Sequence, residues 1–354
     1  MVSDENLIYS CSRNCSKSTA EEPKVAAAQI SLNKSALRLV NRLCDEADRY
    51  KVSFEKTPLG ATLVDAGLNS EGGFLAGELV TEICLGGYGS AKVMPIQYGD
   101  VVLPSVFVLT DHAALSTLAS QFAGWQIKTE GFSAIASGPA RALALKPKHL
   151  YEKLGFLEES DIAVLVLETE QKPPEAAIRL IVDKCGVTPK NLFLIMFSTT
   201  SLVGATQVSG RIVETGLHKL ERLGLDPLIV KSAWGYAPIV PGHPSSGEAM
   251  GRTNDAILYG GITNYTVSCE DDTQLENIVK QAPSSASKAM QEARQLAEKN
   301  PRFMQLFKEA GFDFYKIDPD IFAPAIIVVN NLKTGKTYRA GNLDVEVMKE
   351  SLGL

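Results

Sequence analysis

Two runs of apolar residues constrain this chain more than anything else in it: DIAVLVLET at 161–169 and NLFLIMFST at 191–199. Each has the length of a β-strand and is apolar at consecutive positions, so both faces need cover, as in the interior of a parallel sheet. Between them, PPEAAIRLIVDKCG (173–186) opens on proline and ends on glycine, the residues that start and stop a helix. Strand, helix and strand in that order read as a βαβ unit, and the chain as an α/β protein. Beyond the second run, STTSLVGATQVSG (198–210) is a loop of small polar residues. It leaves a strand at its carboxyl end, where ligands of open α/β sheets gather, so it is expected to form one wall of a site.

The rest of the chain mixes the two periodicities. SALRLVNRLCDEADRY (35–50) carries Leu37, Val40, Leu43 and Ala47 at helical spacing. VMPIQYGDVVLPSVFVLTDH (93–112) alternates β-branched and aromatic residues about a Gly-Asp turn and reads as a hairpin. DAILYGGITNYTVSC (255–269) reads as strand, and SSASKAMQEARQLAEKNPRFMQLFKEAG (284–311) as a long helix interrupted by Pro301. APAIIVVNNLKTGKTYRAG (323–341) reads as two strands joined by a turn at Lys333 to Lys336. With 354 residues, two domains are expected. The division is a polar tail at 1–24, a first α/β lobe at 25–158 and a second at 159–354.

Composition excludes several classes. Hydrophobic residues at 45% and charged residues at 21% belong to a globular chain that buries a core. A formal charge of −6, without any run of lysine and arginine, lacks the cationic footprint of a nucleic-acid binder. No apolar stretch approaches the roughly 18 residues of a membrane span, and the polar start lacks the basic and apolar parts of a secretory signal. Cys11, Cys15, Cys44, Cys84, Cys185 and Cys269 make neither a disulfide framework nor a zinc spacing, so a reducing, cytoplasmic location is expected.

Familiar short motifs fail on context. LKTGKT (332–337) ends like a phosphate loop, but Asn330 stands where the first glycine is required. GGYGSAK (86–92) lacks the third glycine of a dinucleotide fingerprint. His112, His149, His218 and His243 share no metal-binding spacing, and Ser245 beside His243 lacks the strand-turn-helix of a nucleophile elbow. Three glycine-rich polar segments remain: DAGLNSEGG (65–73), SGRIVETG (209–216) and GRTNDAILYGG (251–261). Glycine among amides, carboxylates and hydroxyls lets backbone approach a flat polar ligand, and it equally makes ordinary turns. Within TQVSGRIVETGLHKLERLG (206–224), read as one helix, Arg211 and Glu214 fall on the face away from Val213, Leu217 and Leu220. Such a pair is either a solvated contact contributing roughly 0.2–0.5 kcal/mol or part of a site. Gly210 and Gly216 weaken the solvated reading, because each costs about 1 kcal/mol in a helix unless something packs closely against it.

GATLVDAGLNSEGGFLAGELVTEICLGG (60–87), GRTNDAILYGG and DPDIFAPAIIVVNN (318–331), in that order, resemble methenyltetrahydromethanopterin cyclohydrolase, and the likeness runs from about Ser31 to the C-terminus. The resemblance implies two α/β lobes side by side with a pterin pocket between them, a homotrimer, and an enzyme using neither metal nor cofactor. It also implies the reaction, reversible hydrolysis of the methenyl bridge of the tetrahydromethanopterin one-carbon carrier, or its dephosphorylated form, to the 5-formyl derivative. The family's Arg-x-x-Glu falls on Arg211 and Glu214. A carboxylate there would take the proton from water as it adds to the cationic carbon; an arginine cannot act as an acid and would position it. Asp65, Asn69, Arg252, Thr253, Asn254 and Asp255, from the glycine-rich segments, are secondary candidates for substrate contacts. A non-catalytic reduced-pterin-binding protein is the alternative, and the presence of Glu214 argues against it.

Overall fold

Twelve strands form two six-stranded sheets in the computed structural model, which describes residues 30–297 and 301–354. The tail at 1–24, with Cys11 and Cys15, lies outside the described residues. In chain order the strands are β1 (Ser53–Lys56), β2 (Thr62–Gly67), β3 (Ser90–Tyr98), β4 (Val101–Thr110), β5 (Trp125–Thr129), β6 (Phe132–Ser137), β7 (Ala163–Glu168), β8 (Leu192–Phe197), β9 (Val230–Pro238), β10 (Ile262–Val267), β11 (Ile326–Asn331) and β12 (Thr337–Gly341).

The first sheet has the order β1-β2-β8-β7-β6-β5, and its centre is the parallel trio β2, β8 and β7. The two apolar runs are β7 and β8, joined by the helix Glu175–Cys185. Alternation decides their cover. Leu165, Leu167 and Leu194 pack with Ala177, Ile178 and Ile181 of that helix. Val164, Val166 and Ile195 turn to the opposite face, against Ala36, Val40 and Leu43 of the helix Leu32–Asp45 and Leu79, Val80 and Ile83 of the helix Phe74–Cys84. The runs are therefore apolar at every position because helices lie on both faces.

The second sheet has the order β12-β11-β10-β9-β4-β3 and is mostly antiparallel, with β10 and β11 parallel. The expected hairpin at 93–112 is β3 and β4, and that at 323–341 is β11 and β12. Val106, Tyr265, Val267 and Ile327 of this sheet share a core with Ile212, Val213, Leu217 and Leu220.

A division at residue 158 does not separate the sheets. β2 pairs with β8 across that point, and β4 pairs with β9, because the apolar central strands of each sheet lie in different halves of the chain. Residues Ser31–Leu354 form one compact unit. The stretch 255–269 is also only partly strand: the helix Ser246–Gly260 takes its first residues before β10 begins. Among the described residues, no helix is long and apolar enough to cross a membrane.

Candidate active site

The segment 206–224 is two helices, Leu202–Ser209 and Ile212–Arg222, broken at Gly210 and Arg211. Gly210 is required by contact: a Cβ there would stand 2.7 Å from Cγ2 of Thr81 on the neighbouring helix. The break makes Arg211 the residue that caps the second helix and sets Glu214 in its first turn, where the positive end of the helix dipole favours a carboxylate. Glycine is needed again at 216, where a Cβ would lie 2.2 Å from the Tyr265 hydroxyl. That hydroxyl donates to the Val213 carbonyl at 2.7 Å, so Tyr265 of the second sheet holds the helix at the residue directly before Glu214.

The pair is not on a wet face. Side-chain exposure is 13% for Arg211 and 2% for Glu214. Arg211 donates from Nε at 2.9 Å and from Nη2 at 2.7 Å, both to Oε2 of Glu214, so Oε1 takes no bond from it. Burial pulls the Arg211 pKa down, but the charges of Glu214 and Glu168 and the Glu214 hydrogen bonds outweigh it, and the net direction is upward. Periodicity assigned the pair to the polar side correctly; what it could not register is that a polar side can face a cavity.

That cavity has a volume of about 350 Å³, the scale of a small-molecule site. Glu168, Arg211, Glu214, Thr215 and His218 line it along the Ile212–Arg222 helix and the carboxyl end of β7. Phe122, Ala123 and Gly124 form a second wall, and Met250, Asn254 and Ile257 a third. Phe314, Tyr315, Ile317, Pro319 and Phe322 close it from the segment after the Phe303–Glu309 helix. Phe122 packs on His218 with ring centres 4.6 Å apart, and the Tyr315 hydroxyl reaches the Ala123 carbonyl at 3.4 Å. Burial, then the nearby Arg222 and Arg211 charges, push His218 down to about 4, so its ring is neutral at pH 7.

Of the six secondary candidates, Asn254 alone is among the residues lining this cavity. Asp65 accepts from the backbone N–H groups of Gly67, Leu68, Asn69 and Ser70, and from the Asn69 amide, making the turn after β2. Thr253 donates back to the Met250 carbonyl within its own helix. Arg252 is half-buried, and its Nε has no partner among the described residues. Asp255 is fully buried and turned elsewhere, accepting from Phe303 N at 2.7 Å and Ser351 Oγ at 2.7 Å, with Arg302 Nε at 3.4 Å. The local composition that made these residues candidates was that of a turn and of a helix packed on two sides.

Glu168 was not singled out, although its position at the end of an apolar parallel strand is where a site is expected. Burial raises its pKa, while the hydrogen bond from Thr199 and then the Arg211 charge oppose the rise. Arg211 thus stands under the influence of two carboxylates, Glu214 and Glu168. The aromatic wall was equally silent, since Phe122 and Phe314 to Phe322 are brought together only by folding.

A buried, hydrogen-bonded carboxylate–guanidinium pair lining an aromatic-walled cavity of small-molecule size marks a candidate active site in an α/β protein. Comparison with known proteins narrows the class. The family described as Cyclohydrolase (MCH) matches residues 31–352. Methenyltetrahydromethanopterin cyclohydrolase of Methanothermobacter marburgensis is 44% identical over 331 residues, covering 92% of this chain and 100% of the relative. The proteins of that name from Methanocaldococcus jannaschii and Methanococcoides burtonii are 43% and 39% identical, each over 92% of this chain and 98% and 99% of their own. The chain belongs to the cyclohydrolase family.

Proposed function

We propose that this protein reversibly hydrolyses the methenyl bridge of 5,10-methenyltetrahydromethanopterin, or its dephosphorylated form, to the 5-formyl derivative. The observation that carries the reading is the Arg211–Glu214 pair, buried and lining a cavity of small-molecule size. The methenyl carbon lies between two nitrogens that share a positive charge, so it is already electrophilic and calls for neither a metal nor an organic cofactor. The Glu214 carboxylate at this cavity favours a cationic ring beside it. Asn254, which lines the third wall, would contact it there.

Water adds to the methenyl carbon as Oε1 of Glu214 takes one of its protons, giving a tetrahedral adduct. The same carboxyl then returns the proton to the departing nitrogen. The carbon–nitrogen bond breaks as the adduct's hydroxyl gives up its own proton to solvent, so the carbonyl of the formyl group forms on the nitrogen that keeps the carbon and one proton is released overall. Arg211 stays protonated throughout and holds Oε2, fixing the carboxylate plane. We place the working protein in the cytoplasm, a reading supported by the free thiols of Cys44, Cys84, Cys185 and Cys269, and as a homotrimer, as the resemblance implies.

The test follows the absorbance of methenyltetrahydromethanopterin in buffer and on adding the purified protein. The proposal requires hydrolysis well above the buffer rate. Binding of the pterin without acceleration would refute it and would favour a carrier-binding protein instead. Light scattering on the same sample reads the number of chains.

A further inference from the structure

Arg141 is a fully buried cation that the chemistry above does not use. It has no carboxylate within ion-pair distance among the described residues, and its Nε and Nη2 have no hydrogen-bond partner there. A guanidinium so placed loses its hydration for little Coulombic return, and an apolar side chain of similar size would be cheaper if only the core were served. What Arg141 does touch is specific. Its Nη1 donates to the carbonyls of Leu118 at 3.2 Å and Ser120 at 2.9 Å, and its guanidinium carbon lies 5.2 Å from the centre of the Phe122 ring.

Those carbonyls end the segment Ala114–Gln121, a π-helix, a form whose wider turns commonly occur at functional sites. Phe122 leaves it with ψ of 135°, its N–H still bonded to the Thr117 carbonyl at 2.9 Å. The terminal carbonyls of a helix lack partners of their own. Here side chains supply the Leu118 and Ala119 carbonyls, the latter from the Tyr151 hydroxyl at 2.8 Å, while the Ser120 carbonyl takes both Arg141 and the Gly138 N–H at 2.9 Å. The next residues carry the result to the cavity. Gln121 Nε2 donates to the Gly210 carbonyl at 3.0 Å, directly before Arg211, and Phe122 and Ala123 line the wall.

Resting on the reading of this cavity as the cyclohydrolase site, we propose that Arg141 is a positioning residue, capping the π-helix so that Gln121 to Ala123 stand in register with the Arg211–Glu214 pair. It touches no substrate. Its Nη1 spans two carbonyls while its guanidinium meets the Phe122 and Tyr151 rings, a combination that lysine reproduces only in part.

The experiment compares wild type, Arg141→Lys, Arg141→Met and the surface control Arg179→Met for kcat and KM in hydrolysis of methenyltetrahydromethanopterin. Each is paired with a melting curve, so that rates refer to folded protein. Arg141→Met is expected to lose about a hundredfold, the scale of a misplacement of about 1 Å, with the loss falling on kcat more than on KM. Arg141→Lys recovers part of that loss without reaching wild type, and Arg179→Met matches wild type. Should Arg141→Met fail to fold, Arg141→Lys decides. Wild-type kcat and KM in either folded Arg141 variant overturns the proposal, as does a loss confined to KM. A wild-type protein without turnover would instead sink the function itself.

Discussion

At Glu214 two guanidinium N–H groups converge on one carboxylate oxygen, and in the proposed mechanism the other meets water. Glu214→Gln keeps the shape and removes the proton acceptor, so kcat should fall by roughly 10²–10⁴, the usual share of general base catalysis. Titration with the pterin should show binding largely retained; a variant turning over at the wild-type rate would move the base elsewhere. Gly216 offers a packing test. Alanine improves helix propensity by about 1 kcal/mol, but its Cβ would overlap the Tyr265 hydroxyl. Overpacking of that kind costs typically about 1–3 kcal/mol, so Gly216→Ala should lower the melting temperature. Adding Tyr265→Phe should restore part of it by removing the atom in the way. Both glycines of this segment were legible as close-approach residues; what approached them was not, because Thr81 and Tyr265 lie far away in sequence.

Elements that read correctly were those whose periodicity answers to their own neighbours. β7, its helix and β8 are covered on both faces and show it in every residue, and the two hairpins carry their turns with them. Reading failed where one element serves two environments. The helix Ser246–Gly260 faces the cavity with Met250, Asn254 and Ile257 and turns Asp255 toward other helices, so its polar residues looked alike in sequence. Asp255 binds the start of the Phe303–Glu309 helix and the end of the Val345–Leu352 helix. Burial is the main cause that raises its carboxyl from 3.8 to about 6, against the bonds from Phe303, Ser351 and Arg302. A carboxyl held above its unfolded value contributes stability that is fully present below about 3.8 and is lost as pH rises through about 6. The span corresponds to about 3 kcal/mol. Urea titrations from pH 4 to 7 should show the stability difference between wild type and Asp255→Asn shrinking by that order as pH rises. A difference flat across the range would mean the carboxyl ionises as in the open chain.

At the level of the whole chain, the α/β class followed from local pattern, whereas the pairing of β2 with β8 and of β4 with β9 did not. Apolar runs announce that they need cover without saying which distant run supplies it. The cavity draws on six separate parts of the chain, from Phe122 to Phe322, so a ligand filling it holds those parts together. Methenyltetrahydromethanopterin at a hundred times its dissociation constant should stabilise Glu214→Gln by about 2.7 kcal/mol, read as a rise in melting temperature. No rise at that concentration would place the binding site elsewhere.

The interleaved sheets also bear on how the protein is made. On a ribosome, β4 is finished well before β9 exists to cover its inner edge, and β10 must wait for β11, which follows some sixty residues later. The second sheet cannot close until almost the whole chain has emerged. Until then, open strand edges are exposed to other nascent chains, and pairing over such distances is intrinsically slow. Expression should therefore depend on chaperone supply and on temperature more steeply than the stability of the finished fold would indicate.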